Sequence, residues 1–226
     1  MGVVLMAAVQ PGGSFDVKIA IIGAGNVGSA VARAAVQTGH EVMLTAADAD
    51  KARQVASQVG ATAGASNADA VRDADVVVLA VPFAAVRSVA EEIRDATAGK
   101  IVIDPINPLK ADYSGLATGE RSAAEELQEL LPDAAVVKAF NTVLASKQAE
   151  PTADEGMVLD GFYAGNDGKA KGIVAGWLSV IGYRPIDAGD LSAARALEYM
   201  AFLNISLNAR NDWSWQTGWK LLGPTG

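Results

Sequence analysis

Val17-Lys18-Ile19-Ala20-Ile21-Ile22-Gly23-Ala24-Gly25-Asn26-Val27-Gly28 joins a strand to a helix through three glycines. A β-rich apolar run stops at a glycine, and the three glycines stand in the G-x-G-x-x-G spacing. The apolar, alanine-rich segment 27–37 is predicted helical and closes at Gly39 like a helix C-cap. Alone, this spacing is a weak signal. Directly after a strand and at the head of a helix, inside a βαβ unit of roughly thirty residues, it marks a dinucleotide-binding turn. Gly23 permits the tight turn, Gly25 lets the backbone approach a pyrophosphate, and Gly28 lets the helix pack on the strand. The helix N-terminus adds free N–H groups and the positive end of its dipole. Ala24, Asn26 and Val27 complete the candidate loop.

Further along, strands are predicted over 41–45, 75–81, 100–103 and 134–138, and helices over 48–59, 83–97 and 123–131. The run Asp75-Val76-Val77-Val78-Leu79-Ala80-Val81 is continuously apolar after its first residue, as in a strand buried on both faces of a parallel sheet. Strands alternating with helices imply right-handed crossovers and a Rossmann-type, doubly wound, mainly parallel α/β sheet. The last third changes character. A strand over 158–164, a helix over 167–181, a short extended piece over 183–186 and a long helix over 191–210 precede a tail with Trp213, Trp215 and Trp219. We read it as a smaller C-terminal helical subdomain that completes the sheet and adds a lid. The organisation expected is an N-terminal extension (1–16), a dinucleotide-binding domain (17–145) and a C-terminal substrate and dimerisation subdomain (146–226).

Composition narrows the chemistry. The chain of 226 residues is 50% hydrophobic, with mean hydropathy +0.22, which excludes a disordered polymer. There is no cysteine, so disulfides, thiol catalysis and cysteine–metal sites are excluded, and a single histidine, His40, leaves little room for Ser/His pairs or histidine clusters. His40 follows Gly39 ahead of a strand and reads as a turn residue. No metal site is expected. A net charge of −8 without a basic stretch argues against nucleic acid and anionic membrane as partners. No apolar run approaches the roughly 18 residues of a membrane span, and the apolar start 1–9 reads as an extension rather than a signal peptide. The expectation is a cytoplasmic protein acting on a small-molecule redox substrate.

The second strand bears on which nicotinamide cofactor is held. About twenty positions past the glycines, an acid would hold a ribose 2′-hydroxyl and an Arg would accept a 2′-phosphate. That position falls at Thr45, followed by Ala46, Ala47 and Asp48. Thr45, with Lys51 or Arg53 from the next helix, suits a 2′-phosphate; Asp48 or Asp50 suits ribose hydroxyls, or serves only as helix N-cap and first-turn acid.

Six blocks together resemble one family. They are the glycine loop, Val78-Leu79-Ala80-Val81-Pro82-Phe83, Ile101-Val102-Ile103-Asp104-Pro105-Ile106-Asn107-Pro108, Glu120-Arg121-Ser122-Ala123-Ala124-Glu125, Val137-Lys138-Ala139-Phe140-Asn141-Thr142 and Arg184-Pro185-Ile186-Asp187-Ala188-Gly189-Asp190-Leu191. The chain resembles the NADP oxidoreductases dependent on the deazaflavin coenzyme F-420, to which the reductase domains of the STEAP proteins are related. The resemblance implies NADP, with NAD as the alternative, lying across the strand ends, and a deazaflavin as second substrate. It implies that Ala80, Val81, Pro82 and Phe83 pass the nicotinamide ribose. It further implies that Pro105, Asn107, Asn141 and Thr142 border the nicotinamide and the acceptor, with the C-terminal helices covering the deazaflavin. Two departures stand out: Ala46-Ala47-Asp48 replaces a basic set such as Ser-Arg-Arg, and Asn141 stands where members can carry His.

Hydride transfer needs contact geometry more than an acid or base, with reacting atoms about 3–3.5 Å apart. That agrees with a chain short of His and Cys, in which Asn107, Asn141 and Thr142 are candidates along the hydride path. The plainer readings are that Pro82 ends a strand, Phe140 is core, Asn141 caps a helix and Asp190 is an N-cap. An anionic deazaflavin tail would require Lys110, Lys138, Lys147 or Lys220 to come together. Tyr199, Phe202, Ile205 and Leu207 on the long helix read as an apolar packing face and the element of a homodimer. The alternatives are a reductase of a flavin, metal chelate, carbonyl or imine, and a non-catalytic dinucleotide-binding redox sensor.

Overall fold

The computed structural model describes residues 17–153 and 156–223; the extension expected over 1–16 lies outside the described residues. Eight strands form one sheet: β1 (Lys18–Ile22), β2 (Glu41–Thr45), β3 (Thr62–Ala63), β4 (Val76–Leu79), β5 (Ile101–Asp104), β6 (Ala135–Ala139), β7 (Asp160–Gly165) and β8 (Arg184–Asp187), in the order β3-β2-β1-β4-β5-β6-β7-β8. The helices are α1 (Asn26–Gln37), α2 (Ala49–Val59), α3 (Asn67–Asp73), α4 (Val86–Ile93), α5 (Ala123–Leu130), α6 (Gly168–Ile181) and α7 (Ala194–Asn211). β1 to β6 are mutually parallel; β7 runs antiparallel to β6, and β8 parallel to β7. This is the doubly wound, mainly parallel sheet expected, with a C-terminal segment that extends it.

Strand alternation divides the core. Ile19, Ile21, Val76, Val78 and Val137 pack with α1, α2 and α6 on one face. Ala20, Ile22, Val77, Leu79 and Val136 pack with α3, α4 and α5 on the other. Apolar side chains on both faces explain why β1 and β4 read as unbroken apolar runs rather than alternating ones. Between β1 and β4 the winding reverses, which opens the crevice where α/β sheets bind ligands. Because β7 is antiparallel, residues 140–153 and 156–159 stay at the carboxyl edge of the sheet, beside the glycine loop's strand end.

Several boundaries moved. β4 ends at Leu79, two residues before the predicted end, because Ala80 and Val81 pass directly over Gly23. The helix expected over 83–97 is a 3-10 turn at Phe83–Ala85, then α4, then a second 3-10 turn at Asp95–Thr97. β3 and α3 were not foreseen: two and seven residues are too few to show a period. The local signal was Ser66, whose side chain caps the N–H of Asp69 at 3.1 Å. Asp48 and Asp190 are N-caps; Asp48 accepts from the N–H groups of Asp50 and Lys51.

After α7 the chain is strapped back to β7. Asp160, with no side-chain exposure, accepts from Arg184 Nε at 2.7 Å, Lys220 Nζ at 3.3 Å and the Leu221 N–H at 2.6 Å. Burial alone would raise its pKa; the hydrogen bonds from Arg184, Leu221 and Lys220 outweigh it and hold the carboxyl below its ordinary value. Asp160→Asn is expected to cost about 3 kcal/mol at pH 7, since it leaves the cations facing a neutral group. A depressed folded-state pKa contributes stability above the unfolded value of about 3.9 that is lost as pH falls through the folded one. Urea midpoints of wild type and variant should therefore differ at pH 7 and converge as the pH drops below about 4; a gap constant with pH would contradict this account.

Candidate active site

The glycine loop contains two kinds of glycine. Gly23 has φ +117°, and a Cβ there would lie 2.0 Å from the Ala80 carbonyl oxygen. A Cβ on Gly28 would lie 1.9 Å from the Gly23 carbonyl oxygen. Both are demanded by packing. Gly25 is different: its φ is −81°, and a Cβ there would meet nothing within 4 Å. Neither conformation nor packing requires glycine at that point, so what the missing side chain leaves open is approach from the crevice. Gly25 is also the N-cap of α1, no side chain caps this helix, and no acid stands in its first turn. Its first N–H groups therefore remain available to an anion.

The end of β2 is more occupied than its sequence suggests. Thr45 is buried and donates its hydroxyl to Asn67 Oδ1 at 2.6 Å, while Asn67 Nδ2 donates to Glu92 Oε2 at 2.9 Å. Ala46 is half-buried and Lys51 exposed. Lys51 makes no side-chain hydrogen bond or ion pair among the described residues, whereas Arg53 is paired with Asp50.

The remaining candidates gather at the ends of β4, β5 and β6. Ala80, Val81 and Phe83 are half-buried and Pro82 is exposed, beside Gly23; Pro105 is buried. Asn107 and Asn141 form a reciprocal amide pair: Asn141 Nδ2 donates to Asn107 Oδ1 at 3.0 Å, and Asn107 Nδ2 to the Asn141 carbonyl at 2.8 Å. Asn141 Nδ2 also donates to the Leu197 carbonyl of α7 at 2.9 Å, so Asn141 caps no helix. Phe140 takes φ +64° and packs edge-on against Trp177 at 5.0 Å, making it core rather than a platform. Asn141 Oδ1 and Thr142 Oγ1 are buried without a hydrogen-bond partner among the described residues. Buried polar atoms are rarely left so unless something else completes them.

Beneath the amide pair lies an ion cluster. Lys138 and Asp104 are register partners on β6 and β5. Lys138 Nζ donates to Asp104 Oδ2 at 3.0 Å, to Glu198 Oε1 at 2.8 Å and to the Ile106 carbonyl. Burial pushes the Glu198 carboxyl up, more than Lys138 pulls it down.

Facing the glycine loop is a cleft of about 1030 Å³, walled by Asn26 and Val27, by Leu109 and Tyr113, by Ile205 and Arg210 of α7, and by Trp215 of the tail. A second hollow shares Asn26 and Ser146 with it and runs along α1 to Arg33. The lysines considered for an anionic tail do not assemble here: Lys110 is exposed and does not line the cleft, Lys138 is buried in the ion cluster, Lys147 donates to the Thr152 carbonyl and Lys220 is tied to Asp160. The cation on the cleft is Arg210, which sequence reasoning missed.

Comparison with known proteins agrees with this architecture. Residues 18–108 match the family described as NADP oxidoreductase coenzyme F420-dependent. The F420-dependent NADP reductase of Methanothermobacter thermautotrophicus is 36% identical over 211 residues, covering 86% of this chain and 90% of that protein. The chain belongs to the F420-dependent NADP reductase family. A crystal structure from Arthrobacter sp. FB24, provisionally assigned as an F420-dependent NADP reductase, superposes with a TM-score of 0.82 at 29% identity, covering 91% of this chain and all of that one. Metalloreductase STEAP3 of Rattus norvegicus is 29% identical over 182 residues, which is 80% of this chain and 36% of that protein. The resemblance drawn from the motifs is thus borne out on both branches.

Within this family member, the ion cluster, which the sequence did not reveal, left a faint signal. Lys138 interrupts the otherwise apolar strand Ala135-Val136-Val137-Lys138-Ala139, and Asp104 ends an apolar one. A charge inside a run predicted to be buried calls for a partner, but nothing local names Glu198.

Proposed function

We propose that the protein transfers a hydride between the nicotinamide of NADP(H) and a deazaflavin coenzyme of the F-420 type, as the names of its relatives describe for them. The observation that carries the reading is Gly25, the one loop glycine that the fold itself does not need, at the uncapped N-terminus of α1. In this reading Gly25 and the first turn of α1, through Asn26, Val27 and Gly28, hold the pyrophosphate. Ala46 and Lys51 take the adenosine end, above the buried Thr45 that Asn67 holds, with Lys51 supplying the charge that favours a 2′-phosphate over a hydroxyl. Ala80, Val81, Pro82 and Phe83 form a small, stiff wall for the nicotinamide ribose, with Pro105 behind it. Asn141 Oδ1 and Thr142 Oγ1, buried and without partners among the described residues, accept hydrogen bonds from the bound rings. Leu109, Tyr113 and Trp215 shield the cleft from water.

Bound dinucleotide supplies or receives the hydride at its nicotinamide C4; the chain itself contributes orientation and a dry wall. The same reading takes the protein as a cytoplasmic homodimer: Tyr199 and Leu203, one turn apart on α7, are each 49% exposed. The residue division into a dinucleotide half (17–145) and an acceptor half (146–226) belongs to it as well.

The test mixes the purified protein with NADPH and oxidised deazaflavin coenzyme under nitrogen and follows the coenzyme's visible absorbance, then repeats with NADH. Rapid bleaching with NADPH is expected. Protein that binds dinucleotide without bleaching would overturn the acceptor assignment. Lys51→Ala should raise the KM for NADPH about tenfold, the worth of one charge-assisted contact, and leave that for NADH unchanged.

A further inference from the structure

Net stability does not account for the Lys138–Asp104–Glu198 cluster. Its ion pairs are fully buried, with side-chain exposures of 0%, 1% and 0%. Removing such charges from water costs about as much as their attraction returns, so apolar residues of similar volume would hold the fold as well. Two carboxylates meet one ammonium, and Glu198 Oε2 has no hydrogen-bond partner among the described residues. What ions provide that apolar groups do not is direction.

That direction is shared with the amide pair above. Lys138 holds the Ile106 carbonyl, and Ile106 adjoins Asn107. Asp104 Oδ1 accepts the Ile106 N–H at 2.8 Å. Glu198 adjoins Leu197, whose carbonyl holds Asn141. Glu198 Oε1 also accepts the Ala123 N–H of α5 at 2.9 Å. Three elements, namely the loop after β5, the end of β6 and α7, thus contribute to both layers, first to the ions and then to the amides. The geometry points to Glu198, acting through Lys138, as a positioning residue that locks α7 to the loop after β5, so that Asn141 Oδ1 faces the acceptor side of the site in one orientation. This inference rests on the reading that Asn107 and Asn141 border the acceptor.

The test uses the full chain with Glu198→Ala, Glu198→Asp and Glu198→Gln. In Glu198→Ala the dinucleotide Kd should stay within twofold, because Gly25 and α1 lie outside the cluster, while kcat/KM for the deazaflavin falls at least tenfold. Glu198→Gln should recover most of that loss, since its amide oxygen can still accept from Lys138 and from the Ala123 N–H. The second readout needs no acceptor. In ¹⁵N-labelled protein without ligands, the side-chain NH₂ groups of Asn107 and Asn141 should be protected from solvent exchange in wild type and Glu198→Gln. They should lose protection in Glu198→Asp, whose carboxylate falls one methylene short. That variant keeps the charge and stands in if Glu198→Ala does not fold. Protection unchanged in folded Glu198→Asp and Glu198→Ala, or dinucleotide and acceptor constants worsening in parallel, would overturn the positioning role. Wild-type protein that fails to bleach the deazaflavin would overturn the acceptor reading and leave the exchange result to judge the cluster by itself.

Discussion

Gly25→Val is expected to weaken NADPH binding about 100-fold or more, the loss of roughly two charge-assisted hydrogen bonds at about 1.5 kcal/mol each. The fold should hardly register it. Gly25 has an ordinary φ of −81°, and its Cβ position is empty to 4 Å. The expected cost to unfolding is below about 1 kcal/mol, the difference between glycine and an aliphatic residue at an N-cap. Gly28→Ala supplies the contrast. Its Cβ would sit 1.9 Å from the Gly23 carbonyl oxygen and 3.3 Å from the Ala80 Cβ, so the helix must move off the strand. That overpacking should cost about 2–3 kcal/mol, and binding would fail together with stability. Calorimetric titration and thermal melts on both variants separate the two roles. Tight NADPH binding by Gly25→Val would remove the observation on which the proposed function rests.

Lys138→Met is expected to lower the unfolding free energy by about 3–5 kcal/mol at pH 7. Methionine fills comparable space, but Asp104 and Glu198 then face each other without a cation at almost no exposure. The pH dependence has a definite sign. Burial already holds the Glu198 carboxyl above its ordinary value against the pull of Lys138. Without Lys138 it rises further. An acid with a raised folded-state pKa binds more protons folded than unfolded between the two pKa values, so stability falls as pH rises across that window. The deficit of the variant should therefore shrink between pH 7 and pH 5. Urea unfolding at the two pH values measures it; a deficit that grows on acidification would contradict the charge count. Converting all three residues to neutral or apolar ones should restore most of the loss, because the cost lies in the unpaired charges rather than the volume.

Legibility in the sequence followed the range of the interaction. The turn from β1 into α1 could be read because strand, glycines and helix are consecutive, and each glycine's role follows from the backbone near it. β4 could be read because burial on both faces leaves a run of apolar residues with no alternation. The caps Asp48 and Asp190 were legible for the same local reason. β3 and α3 were not, since elements of two and seven residues carry too little pattern. Thr45 was read as open to a ligand, and its burial against Asn67 depends on α3, which the pattern did not reveal.

The class of sheet, the dinucleotide turn and the strand ends that would line a site were thus legible locally, because these are set by hydrophobic period and by backbone freedom at single positions. What those strand ends do together was set by packing. Asp104 and Lys138 are 34 residues apart, Lys138 and Glu198 60, and Asn141 and Leu197 56. No spacing rule joins them. They meet because β5 and β6 lie side by side in a register that places Asp104 opposite Lys138, and because α7 returns across that face to bury Glu198 between them. The physical reason is that a buried charge must find its partner wherever the packed chain brings one, and that is a property of the packing rather than of the neighbours in sequence.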